Sequence, residues 1–193
     1  NLTRQYYTAL PMLLNIFNNK IGTDFSGTRG YKTLPLFSGS SAVQMTGIKV
    51  NANNTTVNIS KNIVSGHITA GIIITNSIFL INGNRIGVGT AGTETYMGNG
   101  AGIRLEGTAN GTIGGTADPD PNFIGYNRFG IESVSVGTVK IMRNSIYCNS
   151  EVGIAKVTSA PQAYIQVLKI NPNYITGKAN PGSEIELYYT DNC

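Results

Sequence analysis

One eight-residue pattern recurs without gaps along this chain, and a chain that repeats itself is limited to architectures that stack repeats. The pattern is apolar, any, apolar, any, any, Asn, any, apolar. It occurs at 14–21 (LNIFNNKI), 57–64 (VNISKNIV), 79–86 (FLINGNRI) and 139–146 (VKIMRNSI). A degenerate copy, Asn122-Phe123-Ile124, keeps the asparagine and an apolar residue. The anchors form one column: Asn19, Asn62, Asn84, Asn122 and Asn144. Asparagine suits a sharp corner, because it tolerates left-handed geometry and hydrogen-bonds local backbone. Stacked asparagines can also bond from repeat to repeat as a ladder. This column is therefore read as structural.

A second column sets the same period. Gly-Ile opens a strand-like run at Gly47, Gly71, Gly102, Gly130 and Gly153, 23 to 31 residues apart. Alternation puts Ile103 and Leu105 on one face, Arg104 and Glu106 on the other. That period of two is a strand signal. One such rung cannot bury its apolar face alone, so the rungs must stack into a solenoid of short parallel strands. The Gly-Ile residues should form one parallel sheet and the Phe79/Ile81-type residues another. A longer unit also repeats: NKIGTDFSGT at 19–28 aligns with NRIGVGTAGT at 84–93.

Rungs are expected over residues 1–158, with 1–13 a worn or truncated terminal rung. Pro161 and Pro172 mark a change of grammar. Residues 159–175 read as a linker or capping segment. Residues 176–193, with alternating Ile185, Leu187 and Tyr189, read as the start of an antiparallel β module or a capping strand. The chain does not begin with Met and shows no signal peptide, so it reads as a piece of a longer protein.

Composition narrows function. Charged residues are 12%, about half the usual share of roughly 25%. The net charge of +4 is spread along the chain without a basic stripe, which argues against nucleic acid. No apolar run approaches the roughly 18 residues of a membrane span. His67 is the only histidine, and SGHITA reads as an exposed turn rather than part of a catalytic triad. One His and two Cys are too few for a His/Cys metal site. Cys148 reads as a small buried filler, with a Cys148–Cys193 bridge as the alternative. Five N-x-S/T sequons, at Asn1, Asn53, Asn54, Asn58 and Asn110, are what an Asn- and Thr-rich chain produces by chance.

Ten carboxylates remain. Glycoside cleavage needs two of them facing across a sugar. Glu106 and Glu132 both point outward but at different positions of their strands, and a solvated face is the plainer reading. Asp118 and Asp120 lie on a proline-stiffened DPDP loop. No cofactor is expected; calcium on Asp118 and Asp120 with turn carbonyls is the alternative. No catalytic residue is assigned. Any glycan contact is expected on an outward strip of Arg104, Glu106, Asp118, Asp120 and Arg128. Trp is absent, and Tyr96 and Tyr126 are the nearest aromatic substitutes.

The runs NKIGTDFSGT, NGAGIRLEGTANGTIGGT and NSIYCNSEVGIAKV resemble the right-handed parallel β-helix repeats of large secreted surface polypeptides of the Bacteroidetes. The likeness covers about residues 14–193, and ITGKANPGSEIELYYTDNC is similar to the segment leading into the next β module there. GVGT in place of GTD at 87–90 and the DPDP insertion depart from that pattern. The resemblance implies an all-β, right-handed parallel β-helix with a short C-terminal β segment. It implies a secreted or cell-surface location, neighbouring modules of the same polypeptide as partners, and a link to type IX secretion and gliding. The expected function is a non-catalytic stalk, adhesin or carbohydrate-binding segment. Two alternatives share the fold: a pectate-lyase-like polysaccharide lyase or hydrolase, and a trimeric phage tailspike.

Overall fold

The computed structural model describes residues 11–30, 45–116, 121–135, 137–156, 165–182 and 185. Among them there is no helix, and the strands follow a three-beat order. The first turn holds β1 (Met12–Phe17), β2 (Lys20–Ile21) and β3 (Thr46–Asn51). The second holds β4 (Thr55–Ser60), β5 (Ile63–Val64) and β6 (Ala70–Thr75). The third holds β7 (Ile78–Asn82), β8 (Arg85–Ile86) and β9 (Ala101–Glu106). The fourth holds β10 (Asn110–Gly114), β11 (Phe123–Gly125) and β12 (Phe129–Ser133), and the fifth β13 (Val139–Met142), β14 (Ser145–Tyr147) and β15 (Val152–Lys156).

Each strand pairs with the strand three places on, which builds three parallel five-stranded sheets. We call them sheet A (from β1), sheet B (from β2) and sheet D (from β3). The arrangement is a solenoid-like stack, consistent with a parallel β-helix. Sheet D carries the Gly-Ile column: Ile48, Ile72, Ile103, Ile131 and Ile154 are in register. Sheet A carries Ile16, Ile59, Ile81, Ile113 and Ile141 in register. Sheet B adds a third inward column, Ile21, Val64, Ile86, Ile124 and Ile146. These columns meet in one core, where Ile59, Ile72, Ile81, Ile86, Ile103, Ile113, Ile124 and Ile131 are fully buried.

Four glycines of the Gly-Ile column, Gly47, Gly71, Gly102 and Gly130, are required for space. A Cβ on Gly102 would lie 2.5 Å from the Gly130 carbonyl oxygen and 3.0 Å from the Asn127 amide. Gly130 stands in the same relation to the Gly153 carbonyl and Asn149. The next turn's backbone and a buried asparagine occupy that volume, so any side chain would have to displace main chain.

Asn19, Asn62, Asn84, Asn122 and Asn144 line the corner from sheet A to sheet B and form a continuous ladder. The Asn84 Oδ1 accepts from the backbone N–H and the Nδ2 of Asn62, both at 3.0 Å. Asn84 in turn donates its N–H and Nδ2 to the Asn122 Oδ1. Its Nδ2 also reaches back to the Ile59 carbonyl at 2.8 Å. Asn62, Asn122 and Asn144 repeat that back-bond to Ile16, Ile81 and Ile113. The four inner asparagines are buried, and their amides are satisfied. The left-handed residue of the corner is the one before the ladder asparagine. Asn18, Lys61, Gly83 and Arg143 have φ of 57°, 57°, 64° and 49°.

A second ladder runs along the corner from sheet B to sheet D, and it corrects the reading of His67. Asn99 donates its N–H and Nδ2 to Asn127, and Asn127 does the same to Asn149. His67 occupies the matching place one turn earlier. Its N–H donates to the Asn99 Oδ1 at 3.0 Å, and it is fully buried rather than exposed on a turn. Its ring lies against Gly22 and Gly47 of the first turn, where a Cβ would meet it at 2.5 and 2.6 Å. Cys148 takes the left-handed position before Asn149, with φ of 49°. It is half-buried and disulfide-bonded, not an unbridged filler. Cys193 lies outside the described residues.

Beyond the solenoid, β16 (Ile165–Asn171) and β17 (Tyr174–Ala179) form an antiparallel hairpin with a bulge between Val167 and Lys169. The hairpin joins part of the stretch read as linker or cap to the start of the segment read as a following module.

Candidate functional site

Arg104, Glu106 and Glu132 come together on the outward face of sheet D. The Arg104 Nε lies 2.9 Å from a Glu106 oxygen, and its Nη1 lies 3.5 Å from Glu132. The Nε–H is not aimed at that oxygen, so the contact is one of charge rather than an aligned hydrogen bond. Glu106 also accepts from the Thr75 hydroxyl at 3.1 Å. The pairs are partly solvated, and each contributes about 0–1 kcal/mol. Arg128 does not join this trio. It pairs with Glu151 at 3.5 Å and lies over the Phe129 ring at 5.0 Å. Asp118 and Asp120 lie outside the described residues. Among the described residues, no group of three or more His, Cys, Asp or Glu stands close enough to hold a metal ion.

A different region stands out on the outer side of sheet B. Most turns pass from sheet B to sheet D in a few residues. The first and third insert longer connections, after β2 and after β8. The described part of the first, residues 22–30, folds on itself through a Thr23–Gly30 bridge and an Asp24 N–H to Arg29 carbonyl bond of 2.9 Å. The Asp24 Oδ1 accepts the backbone N–H groups of Gly27, Thr28 and Arg29 at 2.9, 3.0 and 3.2 Å. The Ser26 hydroxyl donates to its other oxygen at 2.8 Å. That hydroxyl, opposed by some desolvation and helped by the three N–H groups, holds the Asp24 carboxyl below its ordinary range.

The third-turn loop repeats the device with a different residue. Gly89 stands where Asp24 stands in the aligned copy, and Glu94 supplies the carboxylate from five residues downstream. It accepts the N–H groups of Gly89, Ala91 and Gly92 at 2.9–3.0 Å. Desolvation pushes this carboxyl up, but the backbone N–H groups of Ala91, Glu94 itself, Gly89 and Gly92 outweigh it and leave it below its ordinary range. The departure of GVGT from GTD is thus compensated within the loop.

The two loops abut, although a whole turn separates them. The Thr90 N–H donates to the Gly27 carbonyl at 3.0 Å, and its hydroxyl to the Ser26 carbonyl at 3.1 Å. They lie on the outward row of sheet B, and Ile63 in that row is buried beneath Gly27. The Tyr147 hydroxyl, from the fifth turn, donates to the Gly92 carbonyl at 2.7 Å and ties the second loop down. Burial first, then Tyr126 and Glu94, raise the Tyr147 hydroxyl above its ordinary value, against Arg85. Tyr126 packs edge-on to Tyr147 with centroids 5.8 Å apart, so it is a packing residue, while Tyr96 stays exposed. At the tip of the first loop Phe25 is 98% exposed.

The alignment of 19–28 with 84–93 pairs the two loops in the sequence but gives them no role. The signal was the gap-free repeat itself, because insertions on one face of a solenoid often mark its binding face. Compared with known proteins, the chain matches no family, no curated protein and no solved structure.

Proposed function

We propose that the chain is a non-catalytic surface module of a large exported bacterial protein, built as a right-handed parallel β-helix that holds loops and outward faces for contact with glycans or another surface. The observation that carries this reading is the investment of buried polar chemistry in rigidity. Two side-chain ladders fix two corners of the solenoid, and two loop carboxylates are saturated by their own loops' N–H groups. A rigid solenoid offers an extended surface through repetition alone. The resemblance of the repeats to secreted surface polypeptides supports the location, and neighbouring modules of that polypeptide are the expected partners.

The lyase or hydrolase reading has one observation in its favour. Glu106 and Glu132 flank Arg104 on one open face, a pair of carboxylates with a cation. Against it, the guanidinium bridges both carboxylates, where a sugar would have to lie between them. Incubation with acidic and neutral polysaccharides, with and without calcium, separates the two. The module reading expects no release of unsaturated or reducing ends. Release abolished by Glu106→Gln or Glu132→Gln, or by Asp118→Ala or Asp120→Ala, would establish the enzyme instead. A solution mass corresponding to an obligate trimer would favour the tailspike alternative.

A further inference from the structure

Phe25 poses a question that the solenoid does not answer. A singly exposed apolar residue needs no explanation. Phe25 differs because the loop beneath it is fixed. Asp24, its neighbour, binds three backbone N–H groups and a hydroxyl, and the Lys20 ammonium donates to the Phe25 and Ser26 carbonyls at 2.7 and 3.2 Å. The loop is locked again from outside by Thr90. An aromatic ring almost wholly in water on a backbone held this firmly is preorganised for contact, which reduces the ordering cost of binding. The adjoining loop carries a second exposed aromatic residue, Tyr96, at 77%.

The region holds three cations, Lys20, Arg29 and Arg85, against two carboxylates. Asp24 and Glu94 direct their carboxylates into their own loops. The Lys20 ammonium lies over the Phe25 ring, 5.5 Å from its centroid, Arg29 belongs to the same loop, and Arg85 stands over the Phe123 ring at 4.9 Å on the same outward row as Lys20. None of the three forms an ion pair among the described residues. Exposed aromatic rings offer flat apolar surface to the C–H face of a sugar ring, and uncompensated cations attract carboxylate or sulfate groups.

We propose that the stapled loops at 22–30 and 87–98 form a recognition face for an acidic saccharide chain, with Phe25 and Tyr96 as stacking residues and Lys20, Arg29 and Arg85 as its cationic border. This rests on the reading of the chain as a surface module, and it moves the glycan contact from the outward strip of sheet D to the loops on sheet B.

The test is affinity electrophoresis of the intact chain through gels containing alginate, chondroitin sulfate, neutral dextran or polyglutamate. Retardation is expected in the acidic polysaccharide gels only, and it should weaken with added salt. Phe25→Ala and Tyr96→Ala should each bind about tenfold more weakly. Ile78→Ala, at an apolar site on sheet A that is 55% exposed, should behave as the parent. Since Phe25 is in water, its removal leaves the core untouched, and an unchanged melting temperature verifies that. No retardation in either acidic polysaccharide overturns the proposal, as does retardation that Phe25→Ala leaves intact. Equal retardation by polyglutamate or dextran overturns the saccharide or the acidic part of it. The same gels report on the parent reading separately. Depolymerisation of the polysaccharide would sink the module reading, whereas absence of binding without depolymerisation sinks only this inference.

Discussion

The ladder asparagine is the residue on which the fold turns, and its worth depends on its place in the stack. Asn84 is fully buried and serves Asn62, Ile59, Asn82 and Asn122 at once. Asn84→Ala removes one side chain but strands several buried partners, and it should cost about 1–3 kcal/mol in urea denaturation. Asn19 heads the same ladder but is exposed, so water can replace what Asn19→Ala removes, and the loss there should be well under half as large. Equal losses would mean that burial is not what gives the ladder its strength. His67 supplies a complementary case. It holds the slot that Asn99, Asn127 and Asn149 fill in later turns, so His67→Asn should fold with a melting temperature equal to or above the parent's. A collapse of that variant would show that the imidazole has a role of its own there. The first ladder was legible because its asparagine keeps a fixed distance from two apolar positions. The second was not. Asn99 and Asn127 stand three residues before their Gly-Ile, but His67 and Asn149 stand four before, so a fixed spacing misses half of it.

Among the elements, legibility followed strand length. Sheets A and D are built mostly from strands of four to six residues, long enough for alternation to show. Sheet B is built from strands of two or three residues, and a pair such as Ile63–Val64 carries no period at all. The loops were opaque for another reason: an acceptor such as Glu94 reaches back five residues to Gly89, and no local motif announces that bond. These staples predict a pH dependence with a definite sign. Both carboxyls are held below their ordinary values of 3.8 for Asp24 and 4.5 for Glu94. A lowered value in the folded state means that the stabilisation is complete above the ordinary value and is lost as pH falls through the folded one. Amide hydrogen exchange at Gly27, Thr28, Gly89 and Gly92 should therefore be slow at neutral pH. Once corrected for intrinsic rates, protection should fall selectively on acidification below those ordinary values, before the core amides of sheets A and D respond. Glu94→Gln should abolish that acid step at Gly89 and Gly92 and leave it in place at Gly27. Loss of loop and core protection together would assign the acid response to global unfolding instead.

At the scale of the whole molecule, a solenoid is a one-dimensional stack in which each turn is held by its neighbours. Middle turns have two neighbours, and their inward residues show it: Ile72, Ile81, Ile103 and Ile124 have no exposure. The end turns among the described residues differ. On β1 the inward Leu14 and Ile16 are only half-buried, and on β15 the inward Ile154 is 49% exposed. Protection against exchange should therefore be graded along the axis. The amides of Ile72 and Ile103 should exchange only through opening of the whole stack, while those of Ile16 and Ile154 exchange through local fraying. The same gradient should govern mutation. Ile103→Ala empties a fully buried site with neighbours on both sides and should cost about 2–5 kcal/mol. Leu14→Ala, in a half-buried position of the first turn, should cost much less, because the surroundings of a frayed end can relax around the loss. A flat profile, with Ile16 and Ile154 as slow as Ile103, requires that the end turns be covered in solution. Repeating the exchange at lower protein concentration then identifies the cover: end protection that falls on dilution comes from a second copy stacked on an end turn, and protection that does not fall comes from the chain itself.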